Sequence, residues 1–397
     1  VERMTEYEYD LYGNRIKQTL LADTILEQVS IVFKYDDFGN LVEVTDGEGN
    51  TEILSYEVMG NLLERLDKRG HKWVNTYDEM GHKLSTLNPL NIGFHFEYDG
   101  AGNQVKEIAA NLNNTTFVYD ARNRLVSKTA VVNKPVLYGY DASNRLNKIT
   151  DEEGVVIAYE YDSLGRFSKQ TIAGIVNVEF KYANVSDFLP SQAIYPDYSQ
   201  SLKYDRRYRL VTQITELAEG DSQVYRYSYD AVGNLLSEAN RLGYSVYFEY
   251  DELSRIVKKR DEAGKDALLT YDKRDNILSI LNANLHLSRF QYDKNNNLIK
   301  LIRPLGQTVT NTVDAEGNVV EKIDALNHKT AYQYDIAGRL IKKSNFTQVE
   351  DTVASRVVDF SYKNDFFSLN QEIKKNLRYM KKIKNSHKKS SFYAKKD

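Results

Sequence analysis

The sequence predicts an all-β fold: a repeat array of antiparallel β-hairpins forming one continuous spiralling sheet or a partial hollow shell. Three observations predict it. A tyrosine marks a fixed 21-residue period, at Tyr35, Tyr56, Tyr77, Tyr98, Tyr119, Tyr140, Tyr161 and Tyr182. After irregular steps through Tyr204 and Tyr229 it resumes at Tyr250, Tyr271 and Tyr292, then passes through Val313 to Tyr334. A period of this length signals a repeat architecture and must be settled before any local motif is read. Within each repeat, apolar and polar residues alternate with period two, and two kinds of turn sequence alternate along the chain.

Each repeat reads as strand, turn, strand, turn. In the first strand Phe94, Phe96 and Tyr98 share one face, with His95 and Glu97 opposite; Tyr225, Tyr227 and Tyr229 repeat this around Arg226 and Ser228. The first turn follows the tyrosine, as in Asp36-Asp37-Phe38-Gly39-Asn40. An Asp side chain can accept the backbone N–H two residues on, and Gly or Asn supplies the left-handed backbone. Tyr35, Asp36 and Gly39 define the structural positions; Tyr98, Asp99 and Gly102, Tyr161, Asp162 and Gly165, Tyr250 and Asp251, and Tyr334, Asp335 and Gly338 repeat them. Where Gly is missing, Asn is expected in its place, at Asn123, Asn144, Asn276 and Asn296. The second strand, such as Leu41-Val42-Glu43-Val44, leads to a second turn eleven residues after the tyrosine: Asp46-Gly47-Glu48-Gly49, Asp67-Lys68-Arg69-Gly70 or Asp261-Glu262-Ala263-Gly264. Connections this short make neighbours antiparallel, so the chain should run as a meander with turns on alternate edges of one ribbon.

Residues 1–362 form this ribbon, irregular at 183–209, where Pro190 and Pro196 fall and no turn glycine occurs. Residues 363–397 are expected to be a basic tail. Ser368 and Gln371 have capping-box spacing at the start of a short helix, and disorder follows it. The tail carries +8, leaving -11 on the ribbon, although the whole chain is only -3.

Composition narrows the function. The absence of cysteine excludes disulfides, thiolate zinc sites and cysteine nucleophiles. No apolar run is long enough to span a membrane as a helix. The N-terminal residues are polar with no signal-peptide core, and the chain reads as a piece of a longer protein. The charge balance is not that of a nucleic-acid binder, and nucleic acid is not an expected partner.

Two strands per repeat give on the order of 34 strands and a ribbon about 160 Å wide. Twist forbids a flat open sheet of that width. With no helical layer to cover the aromatic face, the sheet is expected to cover that face with itself, in a spiral whose successive coils stack and enclose a cavity.

Tyr-Asp, two residues, Gly-Asn or Gly-Arg, then Leu, followed by an Asp-x-x-Gly turn, resembles the RHS/YD repeat. Good matches are Tyr35 to Leu41, Tyr229-Asp230-Ala231-Val232-Gly233-Asn234-Leu235 and Tyr334-Asp335-Ile336-Ala337-Gly338-Arg339-Leu340. The pattern occurs in bacterial RHS toxin shells, the C component of insecticidal toxin complexes, wall-associated proteins and the teneurins. The resemblance implies a non-enzymatic structural segment of a secreted or cell-surface bacterial protein. It would build part of a β-shell around a C-terminal toxin polypeptide, with the rest of the RHS shell and that polypeptide as partners. The alternative it implies is an extracellular adhesion or carbohydrate-binding module with cell-surface glycans as partners. Members close their shells with a segment containing Asp-Pro, where aspartyl self-cleavage frees the cargo. No such segment occurs here, so the protease is not carried over.

No catalytic, cofactor or metal residues are singled out. His71, His82, His95, His286, His328 and His387 show no ligand spacing. The acids recur in phase as turn residues, whereas a carboxylate pair for glycoside hydrolysis needs two that are set apart by environment. The tyrosines could stack on sugar rings. The simpler reading is sheet packing, with each hydroxyl bonded at the ribbon edge.

Overall fold

A computed structural model of the chain describes residues 4–21, 28–130, 133–217 and 220–362. The tail and short helix expected over 363–397 lie outside the described residues. The described residues contain 33 strands and no helix, from β1 (Thr5–Tyr9) to β33 (Arg356–Asp359). Every strand pairs antiparallel with its sequence neighbours, and β1 and β33 are each paired on one side only. The result is a single unclosed meander.

The register follows from the turn chemistry. In the hairpin of β3 (Val29–Tyr35) and β4 (Leu41–Thr45), Phe33 lies opposite Val44 and Lys34 opposite Glu43, with a bulge at Tyr35. The bulge recurs at the marker residue from Tyr9 to Tyr334, as at Tyr98 and Tyr250. Beside Tyr35 it leaves Val42 as the extra residue and lies just inside a three-residue hairpin loop whose last residue is left-handed. Gly39 takes that place with φ 83°. The loop closes with Gly39 N–H donating to Asp36 O at 3.0 Å and Asp36 N–H donating to Asn40 O at 3.0 Å. Asn123, Asn144 and Asn296 occupy the left-handed slot where Gly is missing. Asn276 does not: Asp275 takes the slot, at φ 70°, because it stands four residues after Tyr271 and Asn276 stands five. Leu112, Tyr208, Ser254 and Leu285 also adopt positive φ, held there by the hairpin on each side.

The two faces of the ribbon differ. One carries the aromatics; the other carries cross-strand pairs such as Lys34–Glu43 at 2.7 Å, Lys106–Glu97 at 2.9 Å and Lys258–Glu249 at 2.9 Å. Among the described residues no second layer seals the aromatic face. Among the described residues only Val178 (6 % exposed) and Ala193 (1 %) are fully buried hydrophobics. The aromatics are half-buried, covered by lateral neighbours such as Phe167 and Phe180, whose ring centroids lie 5.4 Å apart. The expectation that the sheet would cover its own aromatic face is corrected here: coiling brings edges together, not faces.

Edge contact appears between residues nearly 250 apart in sequence. Glu48 accepts the Lys294 N–H at 2.6 Å, and Asp46 accepts from Asn295 Nδ2 at 2.9 Å. Glu316 accepts the Lys68 N–H at 2.7 Å, and Arg69 lies 3.6 Å from the Asp314 carboxylate. In both places a second turn of one coil meets a first turn 23 strands later. The number must be odd, because a bottom-edge turn has to face a top-edge turn. Gly47 seats the contact: a Cβ there would lie 3.2 Å from Lys294 Cβ. At about 4.8 Å per strand, 23 strands make a coil roughly 110 Å around and about 35 Å across.

The irregular stretch is an excursion within the ribbon. After β17 (Ile175–Lys181) comes a loop, then the three-residue β18 (Gln192–Ile194), and pairing continues into β19 (Tyr198–Tyr204). Arg166 holds the loop by donating to the carbonyls of Asn184, Val185 and Asp187 at 3.0, 3.2 and 2.8 Å. Val178 and Ala193 lie on the strands that flank it.

Candidate functional site

The repeated positions form a latch along one edge of the wall. Most marker tyrosines reach back one hairpin and donate the hydroxyl to a backbone carbonyl just past the preceding first turn. Tyr35 donates to Arg15 O at 3.1 Å, Tyr98 to Lys83 O at 3.0 Å, Tyr161 to Leu146 O at 2.8 Å, Tyr250 to Leu235 O at 2.8 Å and Tyr334 to Val319 O at 2.9 Å. Burial, then the nearby Asp230 carboxylate, pushes the Tyr250 phenol above its ordinary value, so it remains a donor.

The acid that follows organises the turn. One oxygen of Asp36 accepts from Phe38 N–H at 3.0 Å and Asn40 N–H at 2.8 Å, and the other from Asn40 Nδ2 at 3.0 Å. Asp99 accepts from Ala101 and Asn103 N–H, each at 2.9 Å. Asp162, Asp251 and Asp335 repeat the arrangement with Arg166, Arg255 and Arg339 as the side-chain donors, Nε to Oδ2 at 2.6, 2.8 and 2.7 Å. Gly102, Gly165 and Gly338 hold the left-handed slot at φ 82°, 82° and 80°. These residues are not brought to one point. They stand at successive turns along one edge, as structural parts need and a catalytic centre does not.

The position after the left-handed residue was underrated by sequence reasoning. Where it is Arg, the guanidinium also lies over the next tyrosine ring: Arg124 over Tyr140 at 4.5 Å, Arg145 over Tyr161 at 4.4 Å, Arg166 over Tyr182 at 4.0 Å and Arg255 over Tyr271 at 4.7 Å. It then donates into the next turn, Arg255 to Asp272 O at 2.8 Å. One side chain thus clamps its own turn, caps the next aromatic and ties two repeats together. Asn fills the slot more weakly: Asn103 reaches Asn123 at 3.1 Å and Asn276 reaches Asn296 at 2.7 Å. His82 fills it too, 2.9 Å from Asp78 and stacked on Tyr98 at 4.8 Å between centroids. The alternation of Gly-Asn with Gly-Arg was the available signal, because those side chains can bond the Asp.

Carboxylates held this way ionise more readily. The Arg124 side-chain hydrogen bond, joined by backbone N–H groups and opposed by desolvation, brings Asp120 down to about 2. Hydrogen bonds from Asn40 and Asn103 lower Asp36 and Asp99 in the same direction. Among the described residues no group of three or more His, Asp or Glu is placed to hold a metal ion.

The repeat geometry has a known counterpart. The Teneurin YD-shell family matches residues 1–135 and 197–364, and the RHS Repeat family matches 119–156 and 140–173. This chain belongs to the YD-shell family. No curated protein sequence matches it. The YD shell is similar in fold to the solved TcdB2-TccC3 structure, with TM-score 0.70 at 14% identity over 91% of this chain and 25% of that one. It is similar to TcdB2-TccC3 without the hypervariable C-terminal region, with TM-score 0.69 at 14% identity over 90% and 24%. It also resembles the Photorhabdus luminescens Tc holotoxin pore, with TM-score 0.59 at 13% identity over 91% and 26%. The chain spans about a quarter of the length of these structures.

Proposed function

We propose that this YD-shell chain is a non-enzymatic wall segment of a secreted toxin-type shell that encloses a polypeptide cargo. The coil carries the reading: 23 strands per turn, stacked edge to edge, with no second layer over the aromatic face among the described residues. A wall built this way surrounds space instead of filling it. The family match and the likeness to Tc toxin structures support a structural shell role. The enclosed polypeptide and the secreted location are the finer part of the proposal. The first acid of a turn, as at Asp36, Asp120 and Asp162, is occupied in turn closure, which supports a structural role for these acids.

Glycan binding is the weaker reading. A sugar platform needs a free ring face and free hydroxyls. Most of the marker hydroxyls are engaged with backbone carbonyls, and several of the rings are capped by arginine. Electron microscopy of the shell assembled with its remaining segments tests the container. A hollow wall with density inside, protected from protease until the wall is opened, supports it. A solid or extended particle with a fully digestible cargo rejects it, and specific glycan-array hits would favour the adhesin.

A further inference from the structure

The seam between coils follows one pattern. Number each turn from the residue that closes the loop, so that the left-handed residue is the fourth. Where the Asp46 turn meets the Asp293 turn, the third residue of one, Glu48, accepts the N–H of the second residue of the other, Lys294, at 2.6 Å. The opposing third residue, Asn295, donates to Asp46, the first residue across the seam, at 2.9 Å. Where the Asp67 turn meets the Asp314 turn, the pattern recurs with the sides exchanged. Glu316 accepts the Lys68 N–H at 2.7 Å, and Arg69 lies 3.6 Å from the Asp314 carboxylate. At each contact one third residue is an acid and the third residue facing it is a donor.

The next turn pair at the same 23-strand step relates the Asn88 turn to the Asp335 turn, and its third residues are Leu90 and Ala337. Both are half-buried, whereas Leu305 and Leu326, third residues of later second turns, are 86 % and 73 % exposed. Three successive pairs therefore match: acid with donor, donor with acid, apolar with apolar. The neighbouring registers do not match. Coils can slip only by two strands, since a bottom-edge turn has to face a top-edge turn. A 25-strand coil would set Glu48 against Glu316 and Arg69 against Ala337. A 21-strand coil would set Lys68 and Arg69 against Lys294, and Leu90 against Glu316. Bringing like charges together costs free energy, and so does setting a charge on an apolar group.

We propose that the third residues of the facing turns are the register determinants of the coil. Glu48 with Asn295, Arg69 with Glu316, and Leu90 with Ala337 hold it at 23 strands. The strand ladder alone does not choose the number, because much the same hairpin repeats all the way round. Twist sets an approximate curvature. The seam then selects among coils that differ by two strands, which is about 10 Å of circumference and roughly 3 Å of diameter. The pairing works as the charged flanking positions of a coiled coil do, by penalising the wrong alignment as well as rewarding the right one. The inference rests on the coil and not on what it encloses. A wall without cargo would leave it standing, and a coil held at 23 strands by other means would leave the container standing.

Crosslinking within the full chain is the test. The chain has no cysteine, so Leu90→Cys with Ala337→Cys and a short bis-maleimide reports the 23-strand register as an intramolecular bridge, read by mass spectrometry of the monomer. The bridge should form readily in this background. Glu316→Arg sets a donor against Arg69 and should slow bridging roughly tenfold or more. Adding Arg69→Glu restores an acid–donor pair of the polarity seen at the Asp46 contact, and should return the rate to within about twofold. Hydrogen exchange separates this from a structural defect. Protection should leave the Lys68 amide in Glu316→Arg and appear at the Ala315 amide in the double variant, while β7 (Lys72–Tyr77) and β30 (Val319–Ile323) keep theirs. Should Glu316→Arg disturb those strands, Glu48→Arg with and without Asn295→Glu makes the same comparison at the other contact. No bridge in the starting background overturns the proposal. So does bridging in the single variant as fast as in that background, or in the double variant as slow as in the single one.

Discussion

Two stretches of the same wall solve the same problem with different side chains. Between residues 119 and 182 each hairpin has its tyrosine latch and an arginine clamp: Arg124, Arg145 and Arg166 each bond their own Asp and cover the next ring. Between 292 and 318 the clamps are Asn297 and Asn318, and Val313 stands where a tyrosine belongs. The latch is nevertheless kept. Asn311, two residues earlier on the same face, donates from Nδ2 to Leu298 O at 2.9 Å, the carbonyl the missing hydroxyl would have reached. Asn75 does the same beside Tyr77, and both reach Leu62 O. At these two carbonyls the donor can come from a tyrosine hydroxyl or an asparagine amide. The residue type supplying it can vary, provided the ribbon on either side stays paired.

The largest test of this comparison is deletion of a latch. Tyr250→Ala should cost about 2–3 kcal/mol locally, somewhat below the range for a fully buried aromatic because the ring is half-exposed. Tyr250→Phe, which loses only the hydroxyl bond, should cost about 1 kcal/mol. Hydrogen exchange of the amides in β22 (Leu235–Ala239) and β23 (Ser245–Tyr250) is the measurement, because repeat arrays open locally and a global melt blurs the effect. In the other stretch Asn311→Ala should cost about 1 kcal/mol, and adding Val313→Tyr should recover it. If Asn311→Ala leaves exchange in β28 (Leu298–Ile302) unchanged, the amide is no substitute for the tyrosine.

The exchange of parts also shows what could be read from sequence. Periodic tyrosine, alternating faces and turn acids set the meander and its alternating turns, because each is a local rule repeated many times. The 23-strand coil was not legible: it depends on accumulated twist and on contacts such as Glu48 with Lys294, which no local pattern announces. The half-open aromatic face follows from that coil and was missed with it. Asn276 was misplaced by one residue because Asp275, a poorer left-handed former than Gly, is forced into the slot by the hairpin on either side. The arginine clamp was visible as a motif letter, but its reach over the next ring needed coordinates.

A smaller effect separates the clamps themselves. Arg255→Asn turns an arginine clamp into an amide clamp. It removes the ring contact to Tyr271 and the bonds to Asp272 and Asp275 while keeping a donor for Asp251. The loss should be about 0.5–1 kcal/mol, mostly the cation–π contact, since the ion pair is partly exposed and screened. Exchange should accelerate in β25 (Asp266–Tyr271), the neighbour that the guanidinium covers, more than in β23. Equal acceleration on both sides would mean that the clamp acts only within its own turn.

The clamp also sets the response to acid. Asp120 ionises at about 2 in the folded wall, below the ordinary Asp value near 3.9. A depressed folded value means that the turn's electrostatic stability is complete above the ordinary value and drains away as pH falls from about 4 toward 2. Carboxyl resonances followed by NMR should place the Asp120 midpoint at about 2. Arg124→Asn should raise that midpoint but leave it below the ordinary range, because the N–H groups of residues 122 and 124 still point at the carboxylate as they do in wild type at 2.9 and 3.1 Å. The amide-clamped Asp36 and Asp99 are lowered by the same pattern of donors. A midpoint that rises all the way to the ordinary value would show that the arginine alone, and not the turn, holds the charge.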